Sequence, residues 1–330
     1  MDLQDFLNDW HNGSPTVPVH TSGSTGAPKP LRVEKRRMEA SARLTCDFLG
    51  LAPGDTALLC MPLDYIAGKM MVVRSLVRGL RLVSVKPSSR PLAGLPEAPV
   101  FAAMVPMQVA CSLHCAEERR LLMGIRHLII GGGAVDKALE KELRSFPNAV
   151  WSTYGMTETL SHIALRRLSG ADADSWYTPF TGVGVSLGAD GCLVVDAPLV
   201  CDGTLHTNDL AELHPDGRRF RILGRKDNVI NSGGVKIRME DVERLLSPHL
   251  RAPFVITKRR DARLGEAVAM VFEGKESDVR GIRAVCEKVL PGYWRPRTFV
   301  AADKVPLTGT GKPARAEARR MAETSTGNTI

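Results

Sequence analysis

The sequence predicts an α/β protein with largely parallel strands, and three observations carry that prediction. Between residues 38 and 155, apolar runs of strand length alternate with segments of helical spacing. Glycines stand where those helices should stop. Past residue 180 the texture changes to short alternating segments separated by turn residues, which predicts smaller antiparallel β structure.

The elements follow in order. Met38, Ala42, Thr45, Phe48 and Leu49 recur at helical spacing, and Gly50 closes that helix. "PGD" at 53–55 turns the chain into a strand, "TALLCM" at 56–61. "GKMMVVRSLVRG" at 68–79 reads as a helix closed by glycine, and "LRLVSV" at 80–85 as the next strand. The unit repeats as "HLIIGGG" (127–133), the charged helix "DKALEKELRSF" (136–146) and "AVWSTYG" (149–155). "GCLVVD" and "GTLHTNDLAELH" then supply the antiparallel segments, and no internal repeat or low-complexity tract interrupts the pattern.

Composition narrows the classes. A chain of 330 residues with 44% hydrophobic and 24% charged residues is globular and long enough for two domains. No run reaches the roughly 18 apolar residues of a membrane span, and "MDLQDFLNDWHNGSPT" lacks the features of a secretion signal, so a cytoplasmic protein without a membrane partner is expected. Seven cysteines, at 46, 60, 111, 115, 192, 201 and 286, form no CxxC pair and have no histidine at zinc-finger spacing, so buried thiols are expected. The net charge of +8 favours anionic partners, and the basic residues are spread along the chain, which suits nucleotides as well as nucleic acid.

One loop, "HTSGSTGAPK" at 20–29, packs hydroxyls, glycines and a lysine together. Small residues let backbone N–H groups converge on an anion, Ser22, Ser24 and Thr25 add hydroxyl donors, and Lys29 adds a mobile charge, so phosphate is the natural guest. A Walker loop would place Ser or Thr after the lysine, whereas Pro28 precedes Lys29 and Pro30 follows it, which excludes a P-loop NTPase. Taken alone, the loop also reads as a flexible Gly/Ser surface turn.

The loop has company. "HTSGSTGAPKP" resembles the phosphate-binding signature of the adenylate-forming enzymes, the superfamily of acyl- and aryl-CoA ligases, and further motifs of that family follow in family order. "STYGMTET" (152–159) resembles its adenine and magnesium motif, "TND" (207–209) its ribose aspartate, "GRKDNVINSGG" (224–234) its hinge and "PLTGTGKPAR" (306–315) its C-terminal lysine loop. The resemblance implies the adenylate-forming fold: a large N-terminal α/β domain, here residues 1–226, and a small mobile α+β lid, residues 227–330, turning about Asp227. It implies that Thr21, Ser22, Gly23, Ser24, Thr25, Gly26 and Lys29 hold phosphate, that Thr157 contacts the α-phosphate and that Glu158 holds Mg²⁺. A hard cation prefers such a carboxylate oxygen.

Tyr154 would offer its ring to adenine, or else pack in the core. Gly131 and Gly132 would let backbone approach the adenine, or simply turn strand into helix. Asp209 and Arg225 would hold the ribose, or form an ordinary surface pair. Lys312 would bridge the substrate carboxylate and α-phosphate as charge develops.

The implied reaction joins a carboxylic acid to coenzyme A at the expense of ATP, without nucleic acid as a partner; a homodimer is left open. "MPLDYIAGKMMVVRSLVRG" (61–79) resembles the family's acyl-pocket segment, and among the branches it is most like the o-succinylbenzoate–CoA ligases of menaquinone biosynthesis. Tyr65 stands where many members have histidine, and only about twenty residues precede the phosphate loop where typical members have a subdomain; a naturally short form is expected. A dicarboxylate substrate needs a second cationic anchor, which Lys69 or Arg74 could supply, unless both are snorkelling surface residues. A ligase for another aryl or acyl acid, and a nucleotide- or RNA-binding protein that keeps the fold without the chemistry, stand as alternatives. Intact Lys29, Glu158 and Lys312 argue against the latter.

Overall fold

The computed structural model describes residues 1–20, 30–308 and 313–325. The chain divides into two compact units, Met1–Thr207 with Glu212–Arg221, and Asn208–Ala211 with Ile222–Ile330.

The first unit opens with helix α1 (Leu3–His11), capped by Asp2, whose carboxylate accepts the Asp5 amide. Strands β1 (Thr16–His20) and β2 (Pro30–Glu34) pair antiparallel, with His20 opposite Pro30. Helix α2 (Lys35–Leu49) ends at Gly50, whose left-handed φ of 64° is the conformation a helix C-terminus requires of glycine.

Then comes the alternation that the sequence announces. Strand β3 (Thr56–Leu59) leads to helix α3 (Ile66–Arg78), closed by Gly79, and to β4 (Arg81–Ser84). β5 (Phe101–Met104), α4 (Pro106–Leu113), α5 (Ala116–Gly124), β6 (His127–Ile130), α6 (Lys137–Leu143) and β7 (Ala149–Gly155) follow. β8 (His162–Arg167) and β9 (Thr178–Pro179) complete a seven-stranded sheet of order β4-β3-β5-β6-β7-β8-β9, parallel from β4 to β7 and antiparallel at β8 and β9. Its parallel strands β3 and β5 are buried at every residue, as strands covered on both faces must be. Beside it Leu58, Ala102, Met104, Leu128, Ile130, Val150 and their neighbours form one apolar cluster.

Because β4 and β5 flank β3 on opposite sides, the chain reverses direction across the sheet between β3 and β5. In open α/β sheets ligands enter at the carboxyl ends of the strands next to such a reversal. The expected two-residue extension of β3 into "CM" does not form, and α6 stops at Leu143, short of the expected Phe146. A second sheet, β10 (Gly184–Leu187), β11 (Cys192–Asp196), β12 (Thr204–Leu213) and β13 (Phe220–Arg225), carries the alternating segments. β12 and β13 contribute residues to both units.

The second unit is built on the hairpin of β14 (Val229–Ser232) and β15 (Val235–Arg238). Gly233 and Gly234 form its two-residue turn with φ of 57° and 84°, the double left-handed geometry that only glycine adopts without strain. Helix α7 (Met239–Leu246), the long antiparallel pair β16 (Phe254–Asp261) and β17 (Gly265–Glu273), helix α8 (Val279–Val289), strand β18 (Thr298–Ala302) and helix α9 (Arg315–Thr324) complete it. Ile230, Ile237, Val242, Leu246, Ile256, Met270 and Phe299 share its core.

Of the seven cysteines, five are buried, while Cys111 and Cys115 are only half-buried. They lie at the end of α4 and before α5, where a helix-to-helix connection runs along the surface. Among the described residues no helix is long and apolar enough to cross a membrane.

Candidate active site

Of the residues named from sequence, Tyr65, Gly131, Gly132, Thr157 and Glu158 follow the carboxyl ends of the parallel strands β3, β6 and β7. Beyond β3 the chain turns through Tyr65, half-buried just before α3, into a helix that carries Lys69 and Arg74. Beyond β6 stand Gly131 and Gly132. A Cβ on Gly131 would lie 2.5 Å from the Thr153 hydroxyl, and Gly132 has φ 76°, so both positions are held to glycine by the neighbouring strand and by the turn. Beyond β7 a 3₁₀ turn, Thr157–Thr159, sets Thr157 half-buried and Glu158 exposed to solvent. Thr159 accepts the Met156 amide and fixes that turn.

Gly155 is the close approach of the region. A Cβ there would meet the Ser161 carbonyl oxygen at 2.2 Å and the His162 Cα at 2.4 Å, so β7 and β8 come this near only through glycine. The ladder between them shifts register at Tyr154 and Gly155. Tyr154 is 9% exposed, its ring edge-on to Phe220 with centroids 5.1 Å apart and tilted against Tyr177 at 5.8 Å.

Both pocket cations are buried, which corrects the surface reading. Lys69 is 1% and Arg74 2% exposed. Lys69 Nζ donates to the Pro18 carbonyl of β1 at 2.5 Å. Arg74 Nη2 donates to Ser161 Oγ at 2.7 Å, and Nη1 reaches the Met71 sulfur at 3.7 Å. Arg74 makes no ion pair among the described residues, and its Nε has no hydrogen-bond partner there. Burial lowers its pKa to about 10, so it keeps its charge at neutral pH.

Sequence reasoning missed the group that orients this guanidinium. Thr45 Oγ1 donates to the Ser41 carbonyl at 3.1 Å, so it must accept from His162 Nε2 at 3.0 Å. His162 Nδ1, the unprotonated nitrogen, then accepts from Ser161 Oγ at 3.2 Å, leaving that oxygen free to accept from Arg74. The direction of the whole chain is set by one backbone carbonyl. Burial first, and the Arg74 charge second, hold the His162 pKa well below 6.5, which agrees with a neutral ring. The only sequence signal was a histidine inside the apolar run "LSHIAL".

The second unit holds a separate group. Arg225 Nη1 lies 3.4 Å from Asp209 Oδ1 and its Nη2 donates to Asp227 Oδ2 at 2.9 Å, so the expected ribose pair and the expected hinge residue form one chain of charges. Asp227 sits in the 3₁₀ turn Lys226–Asn228, with Asn228 Nδ2 donating to Glu240 Oε1 at 2.5 Å. Thr21, Ser22, Gly23, Ser24, Thr25, Gly26, Lys29 and Lys312 lie outside the described residues. Flanking Lys312, Leu307 pairs with Pro313, the Ala314 amide donates to the Pro306 carbonyl at 2.9 Å, and Arg315 makes two hydrogen bonds of 2.9 Å to Glu243.

The AMP-binding enzyme family matches residues 7–203, well over half of the chain. The chain belongs to the AMP-binding enzymes.

A 2-succinylbenzoate–CoA ligase of Bacillus cereus (strain AH820) is 26% identical over 92% of this AMP-binding enzyme and 70% of the relative. That of Listeria monocytogenes serotype 4b (strain F2365) is 24% identical over 93% and 70%. Among solved structures, an acyl-CoA synthetase (AMP-forming)/AMP-acid ligase II-like protein from Dyadobacter fermentans DSM 18053 is 34% identical, covers 95% of this chain and 92% of its own, and superposes with a TM-score of 0.65. The o-succinylbenzoate CoA synthetase of Bacillus subtilis, solved with its acyl-adenylate, is 23% identical over 95% and 69%, with a TM-score of 0.78. It shares the fold of this AMP-binding enzyme.

Proposed function

We propose that the protein is an AMP-forming acid–thiol ligase that activates o-succinylbenzoate and transfers it to coenzyme A. The observation that carries the choice of acid is Arg74. A buried guanidinium whose described partners are a hydroxyl and a thioether is an expensive arrangement, and it is relieved when an anion enters the same space. A dicarboxylate supplies that anion with the carboxylate that does not react. The names of the relatives support the same acid.

The chemistry runs in two steps. A carboxylate oxygen attacks the α-phosphorus of ATP, the bond to the β-phosphate oxygen breaks, and pyrophosphate leaves. The thiol sulfur of coenzyme A then attacks the acyl carbonyl, the bond to the phosphate oxygen breaks, AMP leaves, and the thiol proton passes to solvent. No side chain acts as nucleophile; the protein positions the reactants and stabilises charge. Glu158, an exposed carboxylate on a fixed turn, suits Mg²⁺, which takes one or two carboxylates and fills its remaining positions with water and phosphate oxygens. Bound there with ATP, Mg²⁺ would neutralise phosphate charge. Thr157 would bind the α-phosphate, the loop at 21–29 with Lys29 the outer phosphates, and Lys312 the oxygens between which charge moves. Arg74 would hold the spectator carboxylate and so orient the reacting one. ATP and coenzyme A as substrates point to the cytoplasm, and sedimentation tests the homodimer.

The test is pyrophosphate release across carboxylic acids, with and without coenzyme A, in wild type and Arg74→Met. In wild type, o-succinylbenzoate should exceed its analogue without the ring carboxylate at least tenfold in kcat/KM, since removing one partner of a buried charged contact costs about 2 to 5 kcal/mol. Arg74→Met should erase that preference while its thermal midpoint stays level or rises, because an apolar side chain replaces an uncompensated buried charge. Equal turnover of both acids by wild type would move the assignment to another acyl or aryl acid.

A further inference from the structure

Lys69 stands on the helix that carries Arg74, yet its side chain turns to a different partner, strand β1. Its ammonium donates to the Pro18 carbonyl in the middle of β1, and this is its one side-chain hydrogen bond among the described residues. β1 is the outgoing arm of the hairpin, β2 the returning arm, and the pairing ends at His20 with Pro30. The chain between those two residues is the sequence "TSGSTGAPK". A buried lysine on α3 thus grips the strand that precedes residues 21–29.

The surroundings support a charged grip. Lys69 Nζ lies 6.0 Å from the centre of the fully buried Phe6 ring of α1, near enough for the ring to favour the cation. Burial lowers the Lys69 pKa, and the carboxylates of Asp64 and Asp9 oppose that shift. The same helix is fixed at its start, because a Cβ on Gly68 would lie 2.4 Å from the Pro62 carbonyl oxygen. That close packing leaves Lys69 little freedom to turn toward another partner.

We propose that Lys69 is a positioning residue for ATP rather than an anchor for the acid: through the Pro18 carbonyl it sets the phosphate loop's stalk against α3, so that one helix places both the nucleotide and, by Arg74, the acid. This rests on the reading of residues 21–29 as the phosphate-binding loop. Slight misplacement of reacting groups costs rate out of proportion to the distance, so a grip on the stalk acts at the phosphates without touching them.

The experiment measures pyrophosphate exchange and, separately, thioester formation from supplied acyl-adenylate in Lys69→Met. The methionine keeps the apolar stem and removes the donor. Loss of one hydrogen bond to a charged group predicts a KM for ATP raised about tenfold, with KM for the acid within about twofold of wild type. Thioester formation from the adenylate should be unchanged. Amide exchange at Val17, Val19, Leu31 and Val33 should quicken. If Lys69→Met fails to fold, Lys69→Gln, a shorter neutral donor, takes its place and should raise KM for ATP to a smaller degree. A raised KM for the acid at unchanged KM for ATP would restore the acid-anchor role and overturn the proposal. So would a parallel fall of both half-reactions that tracks the thermal midpoint, the mark of a merely structural lysine. Wild-type pyrophosphate exchange, measured alongside, tests the ligase reading itself independently of Lys69.

Discussion

At residue scale a chain of hydrogen bonds runs from the Ser41 carbonyl through Thr45, His162 and Ser161 to Arg74. Thr45, His162 and Ser161 each donate once and accept once between the Ser41 carbonyl, which only accepts, and the Arg74 guanidinium, which only donates, and reversing any of them would set donor against donor. His162 is neutral in the fold because burial disfavours its charged form, whereas the unfolded chain binds a proton near pH 6.5. A histidine whose folded pKa is lowered contributes stability above the unfolded value, and that contribution falls as pH drops below it, because the unfolded state then binds a proton that the fold refuses. Wild type should therefore lose up to about 1.4 kcal/mol of stability per pH unit below roughly pH 6.5 from this group, relative to His162→Gln. Urea denaturation of both proteins between pH 7.5 and 5, values spanning the ordinary histidine range, checks it. Parallel curves would mean that His162 is protonated in the fold.

At the scale of elements, the approach of β7 to β8 decides where Ser161 stands. Gly155 has backbone, not flexible side chain, at 2.2 and 2.4 Å from where a Cβ would lie, so nothing can yield cheaply. Gly155→Ala should push the start of β8 away, destabilising by roughly 3 kcal/mol in urea at an unchanged denaturant slope. It should also separate Ser161 from Arg74 and raise KM for the acid more than KM for ATP. Had the alanine been tolerated with wild-type kinetics, the bulge in this ladder would be slack rather than a fixed device. α3 is the companion element: Gly68 lets its first turn close on Pro62, and the helix then points Lys69 and Arg74 to different partners.

At the scale of the whole molecule, the proposed ligase reaction has two half-reactions, and the expected hinge at Asp227 would change conformation between them. Arg225 holds both Asp209 and Asp227, which ties the candidate hinge to the candidate ribose site in the second unit. Proline fixes φ near −65°, so Asp227→Pro should trap one conformation and depress pyrophosphate exchange and thioester formation unequally, by about tenfold or more in one and little in the other. Single-turnover measurements of each half-reaction check it; an equal decline with intact folding would place the hinge at another residue.

The alternation over residues 38–85 and 127–155, the glycine stops at Gly50 and Gly79 and the ordered motifs were legible in the chain, because they are local: spacing, turn chemistry and short signatures need no tertiary partner, whereas β5, α4, α5 and the elements after Arg225 were not read. β7, Ala149–Gly155, stands where the sequence placed it. The pocket helix was legible too, but not the burial of its cations. Lys69 and Arg74 read as surface groups by composition, since a lone lysine or arginine normally seeks water. Only the tertiary structure brings Pro18, from before residues 21–29, to Lys69, and Ser161, from after the TET turn, to Arg74. It alone makes a neutral relay of His162, for the physical reason that desolvation and hydrogen-bond direction depend on what surrounds a side chain in space and leave no trace in the residues beside it in sequence.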